Sequence, residues 1–439
     1  MRREIIHVFL FLLKRLKQLF PLLIFILSFV FIAQDQMTTS VRKFKTRKST
    51  HVIQRHNSLK PFPQVASSNM TAYTLRQTTG KTLADFSNYS INGERNAART
   101  RSVCHKYHSL HQQIQLTTRF NKNSTLLFCP IYKVGTTFWR RVFMIDREKK
   151  YSKLVNPYEL PFDKEYPATK FIWKRNITTT QYKVMFTRDP YNRLFSFYVD
   201  KMLAPNPYFW KTVGIKVAVL TRGIRREKLK TVCGHDITFP EFIKYVIHTL
   251  ETRTNIDPHW IEMERNCYPC EMKYDFVGKM EDFQEDSTQI INKLGLTKME
   301  SFLEENGKNA AVEDAMKDTL SQPFSFRAKY RTCMSFKDAV LRAWQKLQIR
   351  GLIGNDTLDV LLINEKITKL SDIILRAKES RQSSTSLQRK TIKNDMFKYF
   401  WGGVPISDLL KLQKLYAKDF ELFDYEKGPS ILFQSQIDS

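Results

Sequence analysis

Two short stretches of this chain combine residue types that can grip an anion. The first is Lys133-Val134-Gly135-Thr136-Thr137, inside TLLFCPIYKVGTTFWRR. A helix beginning just after such a turn, near Phe138, offers backbone N–H groups without intrahelical partners, a ready cradle for negative charge. Gly135 lets the backbone approach the anion, Thr136 and Thr137 add hydroxyl donors, and Lys133 brings a mobile positive charge. The second stretch is Arg188-Asp189-Pro190 with Arg193 and Ser196, inside YKVMFTRDPYNRLFSFYVDKM. Asp189 suits a helix N-cap and Pro190 the first helical position, which puts Arg188 at a strand end. Arg193 and Ser196 share a helix face that Asp200 also joins. Arg188 and Ser196 can grip a phosphate there; the plainer reading is two surface arginines beside a capped helix. Each turn alone is a weak pattern, since ordinary loops imitate both.

The elements that must position these turns are legible around them. TLLFCPI and Tyr182–Thr187 (YKVMFT) are short apolar runs of the kind that form buried strands, and each leads directly into a helical pattern. Strands alternating with helices predict an α/β body with a central parallel sheet flanked by helices. Helical spacing covers Phe239 to Leu250 and Ile406 to Phe423, and most of Arg327 to Lys393, with polar Glu379 to Lys390 read as a loop. Residues 34–120 are rich in Ser, Thr, Asn and Arg without a sustained apolar period and read as a flexible stem, with the folded domain at 121–430.

Charge and the N-terminus bear on compartment. The chain has 439 residues and a net charge of +28, from 71 basic against 43 acidic side chains, which favours an anionic partner. Part of the excess lies in the stem; the rest includes Lys211, Lys216, Arg222, Arg225, Arg226, Lys228 and Lys230. After the basic residues of 1–18, the uncharged run 19–33 (LFPLLIFILSFVFIA) reads as a slightly short signal anchor, against the roughly 20 residues a spanning helix needs. The competing reading is a cleaved signal peptide. The anchor predicts a single-pass type II protein of the Golgi membrane, cytosolic at 1–18 and lumenal beyond. Sequons at Asn69, Asn88, Asn123, Asn176 and Asn355 agree with that route and disfavour a nucleic-acid partner. Six cysteines, Cys104, Cys129, Cys233, Cys267, Cys270 and Cys333, suit an oxidising lumen, their pairing left open. Cys267-Tyr-Pro-Cys270 lacks the second ligand pair that a closed zinc site needs.

Taken together, the two turns resemble those of the Golgi carbohydrate sulfotransferases, the group containing the chondroitin and dermatan 4-O-sulfotransferases and the HNK-1 sulfotransferase. In that family a turn of the form P-K-V-G-S-T-N-W binds the 5′-phosphosulfate of PAPS (3′-phosphoadenylyl sulfate), and R-D-P-x-x-R-L-x-S-x-Y binds its 3′-phosphate. This chain has YKVGTTFW and RDPYNRLFSFY, the second closing on Tyr198. The block DPHWIEMERNCYPCEMKYDFVGKMED from Asp257 resembles the family's H-W…C-x-P-C…Y-D-x-x-G-K-x-E. LYAKDFELFDY, ending at Tyr425, resembles its Y-x-x-D-F-x-x-F-x-Y. The resemblance covers roughly 125–280 and 397–425. Tyr132 stands where the family has proline and Phe138 where it has asparagine, while 306–392 finds little counterpart and is expected to be a helical elaboration over the acceptor cleft.

The resemblance implies a P-loop-like sulfotransferase fold, PAPS as donor and no metal. It puts Lys133, Val134, Gly135, Thr136, Thr137, Arg188, Asp189, Arg193 and Ser196 at the donor. It also implies a glycan acceptor, with GalNAc of chondroitin- or dermatan-type chains first. Sulfonate transfer needs positive charge on the leaving oxygen, for which Lys133 is the candidate, and a base for the sugar hydroxyl. His259 is the first choice, with Trp260 beside it as a sugar-stacking face; Glu281 and His235 are reserves, and packing roles for His259 and Trp260 are the alternative. A P-loop NTPase is excluded by order, because the lysine precedes the glycine and no G-x-x-x-x-G-K-S/T occurs. A degenerate, glycan-binding relative is the remaining rival.

Overall fold

The computed structural model describes residues 92–107, 113–161, 169–174, 181–359 and 363–433. Five strands, β1 (Gln113–Phe120), β2 (Leu126–Cys129), β3 (Thr169–Lys174), β4 (Tyr182–Thr187) and β5 (Phe276–Lys279), form one sheet in the order β3-β1-β2-β4-β5. β2, β4 and β5 run parallel. All of β2 is buried, as are Val184, Met185 and Phe186 of β4. Burial on both faces is why these strands read as continuous apolar runs. The expected parallel sheet is found in β2, β4 and β5, but β1 pairs antiparallel with both β2 and β3, so the sheet is mixed.

The stem boundary at residue 120 also moves. β1 belongs to the sheet, and helix α1 (Asn92–Cys104) lies on β5. Gly93 meets the Phe276 ring so closely that a Cβ there would come within 2.1 Å of it. The Asn96 amide donates to the Val277 carbonyl at 3.1 Å. α1 buries only Gly93, Ala97 and Thr100, so its contact face is made of small residues and leaves no apolar period to detect.

Helix α2 (Thr136–Arg147) follows the first turn, and α3 (Pro190–Phe197) follows the second and continues into a π-helical turn, Tyr198–Leu203. Then come α4 (Ile215–Arg222) and α5 (Phe239–Thr252), whose N-terminus carries a reciprocal Thr238–Glu241 capping box. Beyond β5 the chain is helical: α6 (Phe283–Lys293), α7 (Thr297–Ser325), α8 (Phe336–Ile349), α9 (Leu370–Ser383), α10 (Ser386–Gly402), α11 (Ile406–Leu415) and α12 (Ala417–Phe423). The expected loop at 379–390 is helix on both sides of a break at Ser384 and Thr385, where Thr385 and Gln388 form a second capping box. The expected single helix from Ile406 breaks at Tyr416, whose hydroxyl donates to the Trp260 carbonyl.

α7, α8 and α9 share their own apolar cluster, including Met316, Leu320, Val340, Trp344, Leu347 and Ile373. This cluster accounts for 306–392 as a helical subassembly. Arg141 of α2 holds it through a bidentate pair with Asp314 at 2.8 and 3.1 Å, and Cys233–Cys333 staples it to the loop after α4. The other disulfides are Cys104–Cys270 and Cys129–Cys267, so both cysteines of the C-Y-P-C pair bond to other elements. Asn123 and Asn355 are exposed. The expected tail and anchor (1–18 and 19–33), Asn69, Asn88 and Asn176 lie outside the described residues, among which no helix is long and apolar enough to cross a membrane.

Candidate functional site

β2 and β4 are adjacent and parallel, so the turns at their carboxyl ends open side by side, the usual position of a ligand crevice in such sheets. The Arg188 guanidinium donates to the Lys133 carbonyl at 3.1 Å, which couples the two turns directly. Lys133 and Gly135 both have left-handed backbone, with φ of 69° and 78°. For a lysine this conformation is uncommon and is held by its surroundings. For Gly135 it is combined with close approach, since a Cβ would lie 2.4 Å from the Phe283 ring. The Thr136 hydroxyl donates to the Ile131 carbonyl and closes the turn.

α2 begins with no side-chain cap. Trp139 N–H donates to the Gly135 carbonyl at 3.1 Å as the helix begins, which leaves the N–H groups from Gly135 to Phe138 directed out of the helix end. Val134 is fully buried and fixes the loop from below, while Thr137 is half-buried. The Lys133 side chain is 15% exposed, and its ammonium pairs with Asp200 at 2.7 Å. Burial pulls its pKa down to about 8 against the opposing effect of Asp200. Arg188 is also lowered by burial, opposed by Glu281 and Asp189.

Other residues of the second turn divide by role. Asp189 is the N-cap of α3, accepting from the Asn192 backbone and side-chain amides at 2.8 and 2.9 Å; burial raises its carboxyl to about 6. Ser196 is half-buried on α3. Arg193 needs correcting. It is 1% exposed and donates to the carbonyls of Tyr132, Ile261 and Pro258 at 3.1, 2.6 and 3.0 Å. Its guanidinium braces the first turn against the His259 loop and does not reach an open surface.

His259 is brought to the same place. Its Nδ1 lies 2.5 Å from the Asp257 carboxylate, which also accepts from the His259 backbone N–H at 2.9 Å. Donation from Nδ1 to that carboxylate leaves Nε2 as the acceptor nitrogen. Burial lowers the imidazole's pKa, Asp257 opposes this, and Lys133 and Lys201 push further down. The ring packs against Tyr132 at 4.4 Å and Phe197 at 5.0 Å, so the departure at Tyr132 supplies a half-exposed wall to the histidine. Phe138, the other departure, is buried against Trp139, Tyr158 and Phe283.

Trp260 is a second correction: it is 1% exposed, donates to the Thr249 hydroxyl at 3.0 Å and packs on Phe197 and Phe242. It is core and offers no face to a sugar. His235 packs beside Trp210, its Nδ1 buried without a partner, and its surrounding charges are those of Arg342, Asp236, Arg222 and Asp338. Glu281, two residues beyond β5, accepts from the Tyr425 hydroxyl at 3.1 Å and faces Arg188.

The closing motif explains how the His259 loop is held. Asp419 accepts from the Met263 and Glu264 N–H groups at 2.8 and 2.9 Å, capping the short helix Met263–Cys267 from outside. Cys267 then ties that helix to the end of β2. A neighbouring cleft of about 670 Å³ is lined by Glu281, Asp282, Glu285, Glu300 and Glu304 with Lys308, a charge balance unsuited to a polyanion. Another, of about 570 Å³, lies among α8, α9 and the segment joining them, away from both turns. Sequence reasoning missed Asp257, which orients His259, and Lys346, whose buried ammonium pairs with Asp200 at 2.7 Å. Asp257 stands two residues before the histidine and was open to discovery as its orienting acid; Lys346 carries no local signal.

Residues 116–330 match the model of the sulfotransferase family. Carbohydrate sulfotransferase 8 of Mus musculus is 28% identical over 202 residues, covering 44% of this chain and 48% of the relative. Carbohydrate sulfotransferase 11 of Rattus norvegicus is 30% identical over 190 residues, 40% of this chain and 52% of the relative. Carbohydrate sulfotransferase 14 of Danio rerio is 26% identical over 254 residues, 54% and 67%. The chain spans about half the length of the curated relatives it matches first, from 40% to 48%. No solved structure matches it. The mixed α/β body fits a sulfotransferase fold, and residues 116–330 match the sulfotransferase-family model and are similar to the carbohydrate sulfotransferases.

Proposed function

We propose that the chain transfers sulfonate from PAPS to a glycan hydroxyl, with GalNAc of chondroitin- or dermatan-type chains as the leading acceptor. The observation that carries this is the coupling of two cationic turns on adjacent parallel strands, Arg188 to the Lys133 carbonyl, beside an uncapped helix start. A bisphosphorylated donor presents two anionic groups, and these turns match them. The N–H groups of Gly135 to Phe138, Lys133 and the threonine hydroxyls would hold the phosphosulfate; Arg188 and Ser196 would hold the 3′-phosphate. When bound, the donor supplies an electrophilic sulfur and a phosphate leaving group. His259, oriented by Asp257, takes the acceptor's hydroxyl proton on Nε2. Lys133 and the start of α2 stabilise charge on the departing oxygen.

An anionic acceptor is supported by the basic segment after α3. Lys211, Lys216, Arg225, Lys228 and Lys230 are exposed, and Phe209, two residues before Lys211, packs on the His259 ring at 5.3 Å. Arg222 is less available, being paired with Glu241 and Asp236. Three disulfides support an oxidising compartment, and with the apolar run 19–33 and the sequons they favour a type II protein of the Golgi membrane. The test is calorimetric titration of the full chain with adenosine 3′,5′-bisphosphate, the desulfonated donor. Wild type is expected to bind, with affinity at least about tenfold weaker in Lys133→Ala and in Arg188→Ala. Equal binding by all three would remove the donor from these turns.

A further inference from the structure

Asp200 lies in the π-helical turn after α3, between lysines from distant parts of the chain. Its Oδ2 is 2.7 Å from the Lys133 ammonium and 3.1 Å from Lys201, and its Oδ1 is 2.7 Å from Lys346. Lys346 belongs to α8, beyond the sulfotransferase-matched residues, and its side chain is 0% exposed. A buried ammonium is costly unless paired, so its placement calls for a reason. Paired with Lys133 alone, Asp200 would cancel the charge that an anionic donor needs. With Lys346 present, three ammonium groups share one carboxylate, and the pocket keeps a positive balance. A further carboxyl faces this cluster: Asp318 of α7, which is raised by burial, lies near Lys346, Asp200, Lys201 and Arg350, and accepts from the Gln322 amide at 3.5 Å.

We propose that Lys346 is a positioning residue for donor binding: it holds Asp200 so that Lys133 can leave that carboxylate for the donor's phosphosulfate. The helical elaboration thereby reaches the donor side of the site through a single buried side chain. This inference rests on the Lys133–Thr137 turn being the donor site. Its structural basis is the shared carboxylate, one oxygen to each of the two principal lysines.

The test titrates the full chain with adenosine 3′,5′-bisphosphate in wild type, Lys346→Met, Lys346→Arg and Asp200→Asn/Lys346→Met. Lys346→Met is expected to raise Kd about tenfold, because Asp200 then holds Lys133 without the competing pull of Lys346. The double variant removes one charge of each sign and is expected to recover most of that loss, and Lys346→Arg to stay within about threefold of wild type. A Lys346 that only stabilises the fold would lower the melting temperature without recovery of binding in the double variant. Unchanged binding in Lys346→Met, or a double variant as weak as Lys346→Met, overturns the proposal. Should Lys346→Met fail to fold, a folded double variant that does not bind overturns it equally. Wild type that binds no bisphosphate would instead overturn the donor-site reading on which the proposal stands.

Discussion

In the proposed reaction Lys133 would work under opposing demands: proximity to the reacting bond requires burial, and stabilising the leaving oxygen requires charge. Burial brings its pKa down to about 8, and Asp200 keeps it from falling further. The charged form is therefore present below that value and lost as pH rises through it. His259 is also shifted downward, but in the direction that the proposed base role requires, since burial keeps the imidazole neutral to lower pH than usual. The expected kcat/KM profile for the donor is a bell. Its acid limb lies below the ordinary histidine range of about 6.5, and its alkaline limb lies near pH 8. A profile flat to pH 9.5 would contradict the assignment of Lys133, given a limb expected near about 8. At this scale the sequence was informative about residue type and blind to direction. Lys133, Gly135, Arg188 and His259 reach one place, whereas Arg193 and Trp260, equally prominent in their motifs, point inward, because no spacing rule distinguishes a buried guanidinium from one facing a ligand.

At the scale of elements, the site is a set of loops held at fixed distance by buried polar groups. Arg193 joins α3 to the Tyr132 and Pro258–Ile261 carbonyls, so one side chain sets the spacing between the Lys133 turn and the His259 loop. Arg193→Ala leaves three carbonyls without that donor, and the expected cost is about 3 kcal/mol of stability. It is expected also to weaken donor binding although Arg193 touches no donor. Denaturant unfolding and bisphosphate titration of the same variant check both; native stability would show that the brace is dispensable. β2, β4 and the α2 and α3 starts were legible because strands buried on both faces, proline at a helix start and a capping aspartate leave local marks. β1 alternates with polar residues beside an antiparallel partner, and α1 packs through Gly93 and Ala97, so neither leaves a comparable mark. The break at Tyr416 was hidden because its cause is a tertiary contact with Trp260.

Over the whole molecule, distant segments converge on the carboxyl ends of β2, β4 and β5. Cys129–Cys267 ties the strand before the first turn to the helix after the His259 loop across 138 residues, and Cys104–Cys270 adds α1 across 166. Closing loops of this length restricts the unfolded chain by about 4–5 kcal/mol each in the chain-entropy picture. The C-terminal motif reaches the same region through Asp419 and Tyr425, and the helical elaboration through Lys346. We propose that this convergence serves sulfonate transfer to a glycan. The most direct measurement is transfer of labelled sulfonate from PAPS by the full chain to a panel of desulfated glycosaminoglycans and GalNAc-bearing glycans. Wild type is expected to label at least one acceptor, and Lys133→Ala and Arg188→Ala, shown to be folded by circular dichroism, are expected to label none. A wild-type chain that binds the bisphosphate yet labels no glycan, or a Lys133→Ala variant that labels as wild type does, would contradict it.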